Sequence, residues 1–169
     1  MLAAGKPDRA MRVFDLQNQS EATALEKLEM LQAVEGCLFN PSGTRLIAAG
    51  SNGHVVIFEA TKEGQLKESG QFAGHSKEVK ALAVSPDGKL ALTGGAEKKV
   101  RLWEVESGQE IAVIPGFEGP IKACHISRNG RTGMATDGST LLEFDLGGKQ
   151  EVKRQRQLNR SWAAGQSAA

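Results

Sequence analysis

The chain has 169 residues, 40% of them apolar and 24% charged, with a formal net charge of +1. That length supports one globular domain with a sizeable core, and the charge balance argues neither for nor against a bulk polyanion as partner. No run approaches the ~18 apolar residues of a membrane span, so no membrane partner is expected.

The N-terminus, Met1-Leu2-Ala3-Ala4-Gly5, has no charged segment leading into an apolar one, and no secretory leader is read there. Ala3-Ala4-Gly5 leads through Asp8 to Met11-Arg12-Val13-Phe14-Asp15, two short apolar runs split by turn residues. Residues 16–32 are ambiguous. Leu25, Leu28 and Leu31 have helical spacing, but the pattern of the remaining chain asks for an outer strand from about Ala24 to Leu31, and the strand is preferred.

Next, Phe39-Asn40-Pro41-Ser42-Gly43 precedes Ala48 to Asn52 and Val55-Val56-Ile57-Phe58-Glu59. A fuller version follows. Gly74-His75 comes first, and Val79, Leu82 and Val84 then lead into Pro86-Asp87-Gly88, a turn in which Pro pre-sets φ and Gly accepts φ > 0. A second strand, Leu90 to Thr93, is read as broken at Gly94-Gly95. A third runs to Glu104 with Val100 and Leu102 alternating against Arg101 and Trp103, and a fourth covers Glu110 to Ile114. Ile126-Ser127-Arg128-Asn129-Gly130, Ala135 to Gly138 and Leu141 to Asp145 repeat the pattern once more. The anchors Phe14, Phe58, Trp103 and Phe144 recur a little over forty residues apart, a period that signals stacked supersecondary units. Four antiparallel strands per unit make a propeller blade.

At these residues the chain resembles the WD-repeat family of β-propellers, over roughly residues 1 to 150. Gly74-His75, Ser85-Pro86-Asp87-Gly88 and a Trp103-Glu104 pair in place of Trp-Asp carry the resemblance. It implies an all-β arc of four-stranded antiparallel blades forming an incomplete ring. The blades fall at about 1–32 (lacking its first strand), 33–77, 78–119 and 120–155, with a flexible tail over 156–169. It also implies a hydrogen-bonded network inside the third blade, falling here on His75, Thr93, Glu97 and Trp103. Glu97 is one methylene longer than the family's Asp, which puts the geometry of that network in question. Elsewhere Met30 and Phe117 stand where the His would be, and Phe replaces Trp three times.

Cys37 and Cys124 occupy one repeat position, which Leu82 fills in the third unit. An apolar side chain on the innermost strand fits all three, so the cysteines read as unpaired buried thiols in a reducing, cytoplasmic setting. His54, His75 and His125 are scattered, with no partners at metal-ligand spacing. Gly50-Ser51-Asn52-Gly53 and Gly94-Gly95 precede no helix and read as hairpin turns rather than phosphate cradles. No nucleophile elbow occurs. The expectation is a chain without enzyme activity, cofactor or metal.

The resemblance implies a protein–protein interaction scaffold. By motif match, the residues ringing one face toward a protein or peptide partner are Glu35, Lys80 and Lys122 in one set and Pro7, Ser51 and Ala96 in the other. The lysines tilt the expectation toward an acidic peptide. An open arc leaves an apolar face at each end, so the chain reads as the C-terminal part of a larger propeller, or as a half-propeller completed as a homodimer. The alternative is an accessory propeller of a larger enzyme. Nucleic-acid binding through the basic stretch from Lys149 to Arg160 is the weakest reading, a solvated edge being the plainer account.

Overall fold

The computed structural model describes residues 2–4, 11–15, 20–25, 33–61, 65–146 and 155–157, with side chains over 33–61 and 65–146. These residues form strands and turns only. β1 (Leu2–Ala4), β2 (Met11–Asp15) and β3 (Ser20–Leu25) make a three-stranded sheet in sequence order. β4 (Val34–Phe39), β5 (Arg45–Gly50), β6 (Val55–Ala60) and β7 (Leu66–Phe72) make a second, four-stranded. A third contains β8 (Val79–Val84), β9 (Leu90–Gly95), β10 (Val100–Glu104) and β11 (Glu110–Ile114). The fourth contains β12 (Ala123–Ile126), β13 (Thr132–Thr136), β14 (Leu141–Asp145) and β15 (Gln155–Gln157). Every pairing is antiparallel between sequence neighbours, and the sheets stay open.

Local chemistry sets the first turn of each full sheet. Gly43, Gly88 and Gly130 close it with φ of 71°, 73° and 70°, and each donates its N–H to the carbonyl three residues back. The side chain at that earlier position then ties down the next strand. Asn40 Oδ1 accepts from Arg45 N–H at 2.9 Å, Ser85 Oγ from Leu90 N–H at 2.9 Å and Ser127 Oγ from Thr132 N–H at 2.9 Å. One Asn and two Ser side chains perform one task, as expected of residues that mimic a backbone turn.

The core lies between the sheets. Ile47, Val55, Ile57 and Phe72 of the second pack against Ala91, Trp103 and Val105 of the third. Ala83, Leu92, Leu102 and Ile114 of the third pack against Ala135, Leu142 and Phe144 of the fourth. The innermost strands β4, β8 and β12 are therefore neighbours across the stack.

Three details differ from the sequence-based expectation. The outer strand of the first sheet is Ser20–Leu25, earlier than Ala24 to Leu31, and it pairs with β2 through a bulge at Val13/Phe14. β9 is not broken at Gly94-Gly95, because both residues pair within the sheet. β15 reaches Gln157, two residues past the boundary set for the fourth blade, and residues 158–169 lie outside the described ones.

Candidate functional site

Trp103 is placed by β10 on the face toward the second sheet, where it is 1% exposed and lies flat against Phe72. Its indole N–H donates to Thr93 Oγ1 at 2.6 Å. The same hydroxyl is 2.5 Å from His75 Nε2, and His75 Nδ1 is 2.5 Å from Glu97 Oε1. Proton accounting orders the chain. Indole can only donate, so Thr93 accepts from Trp103 and gives its own proton to Nε2; His75 then carries its proton on Nδ1 and donates it to Glu97. The structure thus brings His75, Thr93, Glu97 and Trp103 together in one continuous network.

The longer Glu97 is accommodated by folding back. Its carboxylate lies over Gly95, where a Cβ would collide with it. Arg101 stands alongside, Nε 3.6 Å from Glu97 Oε1, and also pairs with Glu110. Glu97 Oε2 and Arg101 Nε are left buried without a hydrogen-bond partner, a cost of the extra methylene. Gly74 precedes His75 because the chain crosses the Trp103 ring, and a Cβ there would come within 2.9 Å of it.

Burial pushes the His75 imidazole below its ordinary value, against the opposing pull of Glu97. Its side chain is 0% exposed. A neutral, enclosed imidazole with both nitrogens engaged has no path to a substrate, so its chemistry is structural.

The other full sheets dispense with this network. In the second, Ala48 and Phe58 stand where Thr93 and Trp103 stand in the third. In the fourth, Phe117 replaces the His, and a residue not singled out from sequence takes over. Asp137, 4% exposed, accepts from the backbone N–H groups of Glu118 and Gly119 at 2.9 Å each through Oδ2. Its Oδ1 accepts from Ser139 N–H and Oγ–H at 2.9 Å and Thr140 N–H at 2.7 Å. Burial alone would raise its pKa, but the N–H groups of Thr140, Gly119 and Ser139 and the Ser139 hydroxyl outweigh it and hold the carboxyl well below the usual range. Its backbone takes the place of Gly95 in the third sheet, and an acidic residue in the turn after β13, as Glu97 is in the turn after β9, was the available signal.

The partner-facing candidates lie at the end of the sheets that carries the 51–54, 96–99 and 137–140 turns. Ser51 N–H donates to Ala33 O at 2.9 Å and Ala96 N–H to Glu78 O at 2.8 Å, so each turn is pinned beside the entry to an innermost strand. Lys80 occupies a bulge between Val79 and Ala81, is exposed, and pairs with Glu78 at 2.9 Å. That hydrogen bond and charge, with a smaller contribution from Glu35, raise its pKa. Lys122 follows the fully buried Ile121 as Lys80 follows Val79, is exposed, and extends over Gly138. Pro7 lies outside the described residues.

His54 and His125 are exposed. Among the described residues no group of three His, Cys, Asp or Glu could hold a metal ion, and no helix is long and apolar enough to cross a membrane. Cys37 and Cys124 are partly buried among apolar neighbours, and burial raises both thiols, that of Cys124 up to about 12.

Sheets of four antiparallel strands, stacked through apolar faces and tied by a Trp–Thr–His–acid network, define a propeller blade. Residues 66–104 match the family model described as "WD domain, G-beta repeat". The chain is a WD-repeat protein of β-propeller fold. It is 29% identical to the small ribosomal subunit protein RACK1 of Caenorhabditis elegans, over 68% of this chain and 35% of that one. It is 27% identical to the p21-activated protein kinase-interacting protein 1-like of Xenopus laevis, over 86% of this chain and 38% of that one. The Cps50 (Swd1) β-propeller domain superposes with a TM-score of 0.64 at 23% identity, over 74% of this chain and 39% of that chain. The U3-55K structure gives a TM-score of 0.66 at 16% identity, over 75% and 39%. The chain therefore spans little more than a third of the length of these relatives.

Proposed function

We propose that the chain is a non-catalytic protein–protein interaction scaffold built on part of a larger propeller, the remaining blades coming from more of the same polypeptide or from a second copy. The observation that carries the reading is the loop end. The Ser51–Ala33 and Ala96–Glu78 backbone bonds pin the turns that carry Ser51 and Ala96 beside the strands that carry Glu35 and Lys80, at one end of adjoining sheets, a preorganised surface for a polypeptide. The enclosure of His75 supports the non-catalytic part.

The partner surface is tested with a library of acidic and basic peptides titrated against the wild type and a Lys80→Glu/Lys122→Glu variant. Selective binding of acidic peptides that weakens at least about tenfold in the variant, with an unchanged melt, is expected, since rim charges act through complementarity. Equal binding by both proteins would sink the assignment.

A further inference from the structure

The seam between the second and third sheets holds a cleft of about 250 Å³. Its floor is Ile57 of β6 and Val105 of the turn after β10, 3% and 2% exposed. Gly70 of β7 pairs with Ile57 and lines the same space. A Cβ added there would meet only Ile57 Cδ1, at 3.9 Å, so the room a side chain would take belongs to the cleft.

The third sheet fills the same register positions differently. Phe58 and Trp103 are matching anchors, so Arg45, Ser69 and Gly70 correspond to Leu90, Ile111 and Ala112. Those three apolar residues pack on the core shared with the fourth sheet. In the second sheet their places hold a guanidinium, a hydroxyl and no side chain at all. Ser69 and Ile111 are each the extra residue of a bulge, a device that re-aims the side chain it carries. Three exchanges thus turn an apolar closure into a polar opening.

Hydrogen bonds inside the protein decide what the cleft can receive. Arg45 gives Nε and Nη2 to Glu59 Oε1, at 3.3 and 3.1 Å. The Ser69 hydroxyl donates to Ile57 O at 3.3 Å and the Ser107 hydroxyl to Glu104 Oε2 at 2.7 Å, so toward the cleft both offer lone pairs. Glu59 and Glu106 are exposed at its mouth, and two carboxylates against one guanidinium leave the lining with a net charge of −1. We propose that the cleft takes an arginine or lysine side chain of a partner polypeptide. The aliphatic stem lies on Ile57 and Val105, and the cationic head donates to Glu59, Ser69 and Ser107. The cleft has room for one such side chain, so the rest of the ligand lies on the rim. There β7 is the edge strand of its sheet, exposed from Lys67 to Ser69, and an extended backbone can run along it. The cleft shares no residue with the loop-end surface, and the two readings stand or fall separately.

The test titrates the full 169-residue chain, at low ionic strength, into short dye-labelled peptides that carry arginine, with fluorescence anisotropy as the readout. Citrulline in place of arginine keeps the shape and removes the charge, and should weaken binding at least about tenfold. Gly70→Val fills the cleft at a position whose φ suits any residue, and should weaken binding at least about tenfold without lowering the melt. Should it fail to fold, Arg45→Leu/Ser69→Ile/Gly70→Ala copies the lining of the third sheet and should close the cleft in the same way. Lys80→Glu/Lys122→Glu, altered only at the loop end, should bind the arginine peptides at least as tightly as the wild type. Spermidine, a polycation without a peptide backbone, should displace them only at far higher concentration. A wild type that ignores arginine peptides overturns the proposal. So do equal affinity for the citrulline forms, unchanged binding by the cleft-filling variants, loss of binding in the loop-end variant, or displacement by spermidine as readily as by unlabelled peptide.

Discussion

Phe72 of the second sheet and Trp103 of the third lie 4.9 Å apart between ring centroids and 6° from parallel, the contact through which one blade reads the position of the next. Both rings are essentially buried. Trp103→Ala should cost about 3–5 kcal/mol, because it opens a large cavity and removes the donor to Thr93. Phe72→Ala should fall in the same range, and a double-mutant cycle should return a coupling of about 0.5–1.5 kcal/mol for the stacked pair. Chemical denaturation of the four proteins measures all three quantities.

His75 has a folded pKa below its unfolded value, because burial disfavours the imidazolium. The unfolded chain therefore binds the extra proton first, and stability falls as pH drops below the ordinary histidine pKa of about 6.5. Above that value the contribution is fully present. Melting temperatures between neutral pH and pH 5 should decline in the wild type, and His75→Gln should remove part of the slope at the cost of a lower starting stability.

Asp137 is charged and accepts five hydrogen bonds from Glu118, Gly119, Ser139 and Thr140. Asp137→Asn turns one acceptor oxygen into a donor facing N–H groups, and the loss should be roughly 2–4 kcal/mol. Since the folded carboxyl is held low, its contribution persists above the ordinary value of about 3.9 and is lost only as pH falls below it. An Asp137→Asn protein as stable as the wild type at pH 7 would show that the turn does not depend on the carboxylate.

Lys98 takes a φ of 68° in the turn after β9, where the corresponding turns of the neighbouring sheets place Gly53 at 86° and Gly138 at 100°. A left-handed lysine costs about 1–2 kcal/mol, partly offset by the greater unfolded freedom of glycine. Lys98→Gly should therefore raise stability by about 0.5–1 kcal/mol, read as a higher melting temperature.

Gly94 faces Ile121 of the next sheet so closely that an added Cβ would overlap its side chain, with Ala81 at 3.1 Å behind. Ile121 N–H also donates to Gly95 O at 3.2 Å, fixing the approach. Gly94→Ala should cost about 1–3 kcal/mol through overpacking, and a neutral effect would mean that the seam between these sheets can open.

The repeat and its turns were legible because their causes are local. Asn40-Pro41-Ser42-Gly43 and Ser85-Pro86-Asp87-Gly88 hold within four residues everything that sets their φ values and first hydrogen bonds. His75, Thr93, Glu97 and Trp103 were legible for a related reason: repeat position fixes which strand each occupies, and the pleat fixes the side it faces. The shared place of Cys37, Leu82 and Cys124 followed from the same count, and the register confirms it through their partners Ala48, Thr93 and Ala135.

What only the tertiary structure decided involves contact between sheets or a shift in count within one. Gly94 and Gly95 look like a turn in the sequence, yet they sit in a strand because Ile121 and Glu97 need the space their missing side chains leave. The outer strand of the first sheet begins at Ser20 because Asp15 at the end of β2 pairs with it directly, a partnership that no local pattern in residues 16–32 announces. Asp137 shows its role only when the loop at Glu118 and Gly119 folds over it. Arg45, Gly70 and Val105 lie far apart along the chain, and no local property joins them. Strand pairing and the stacking of the second sheet on the third set them around one cleft.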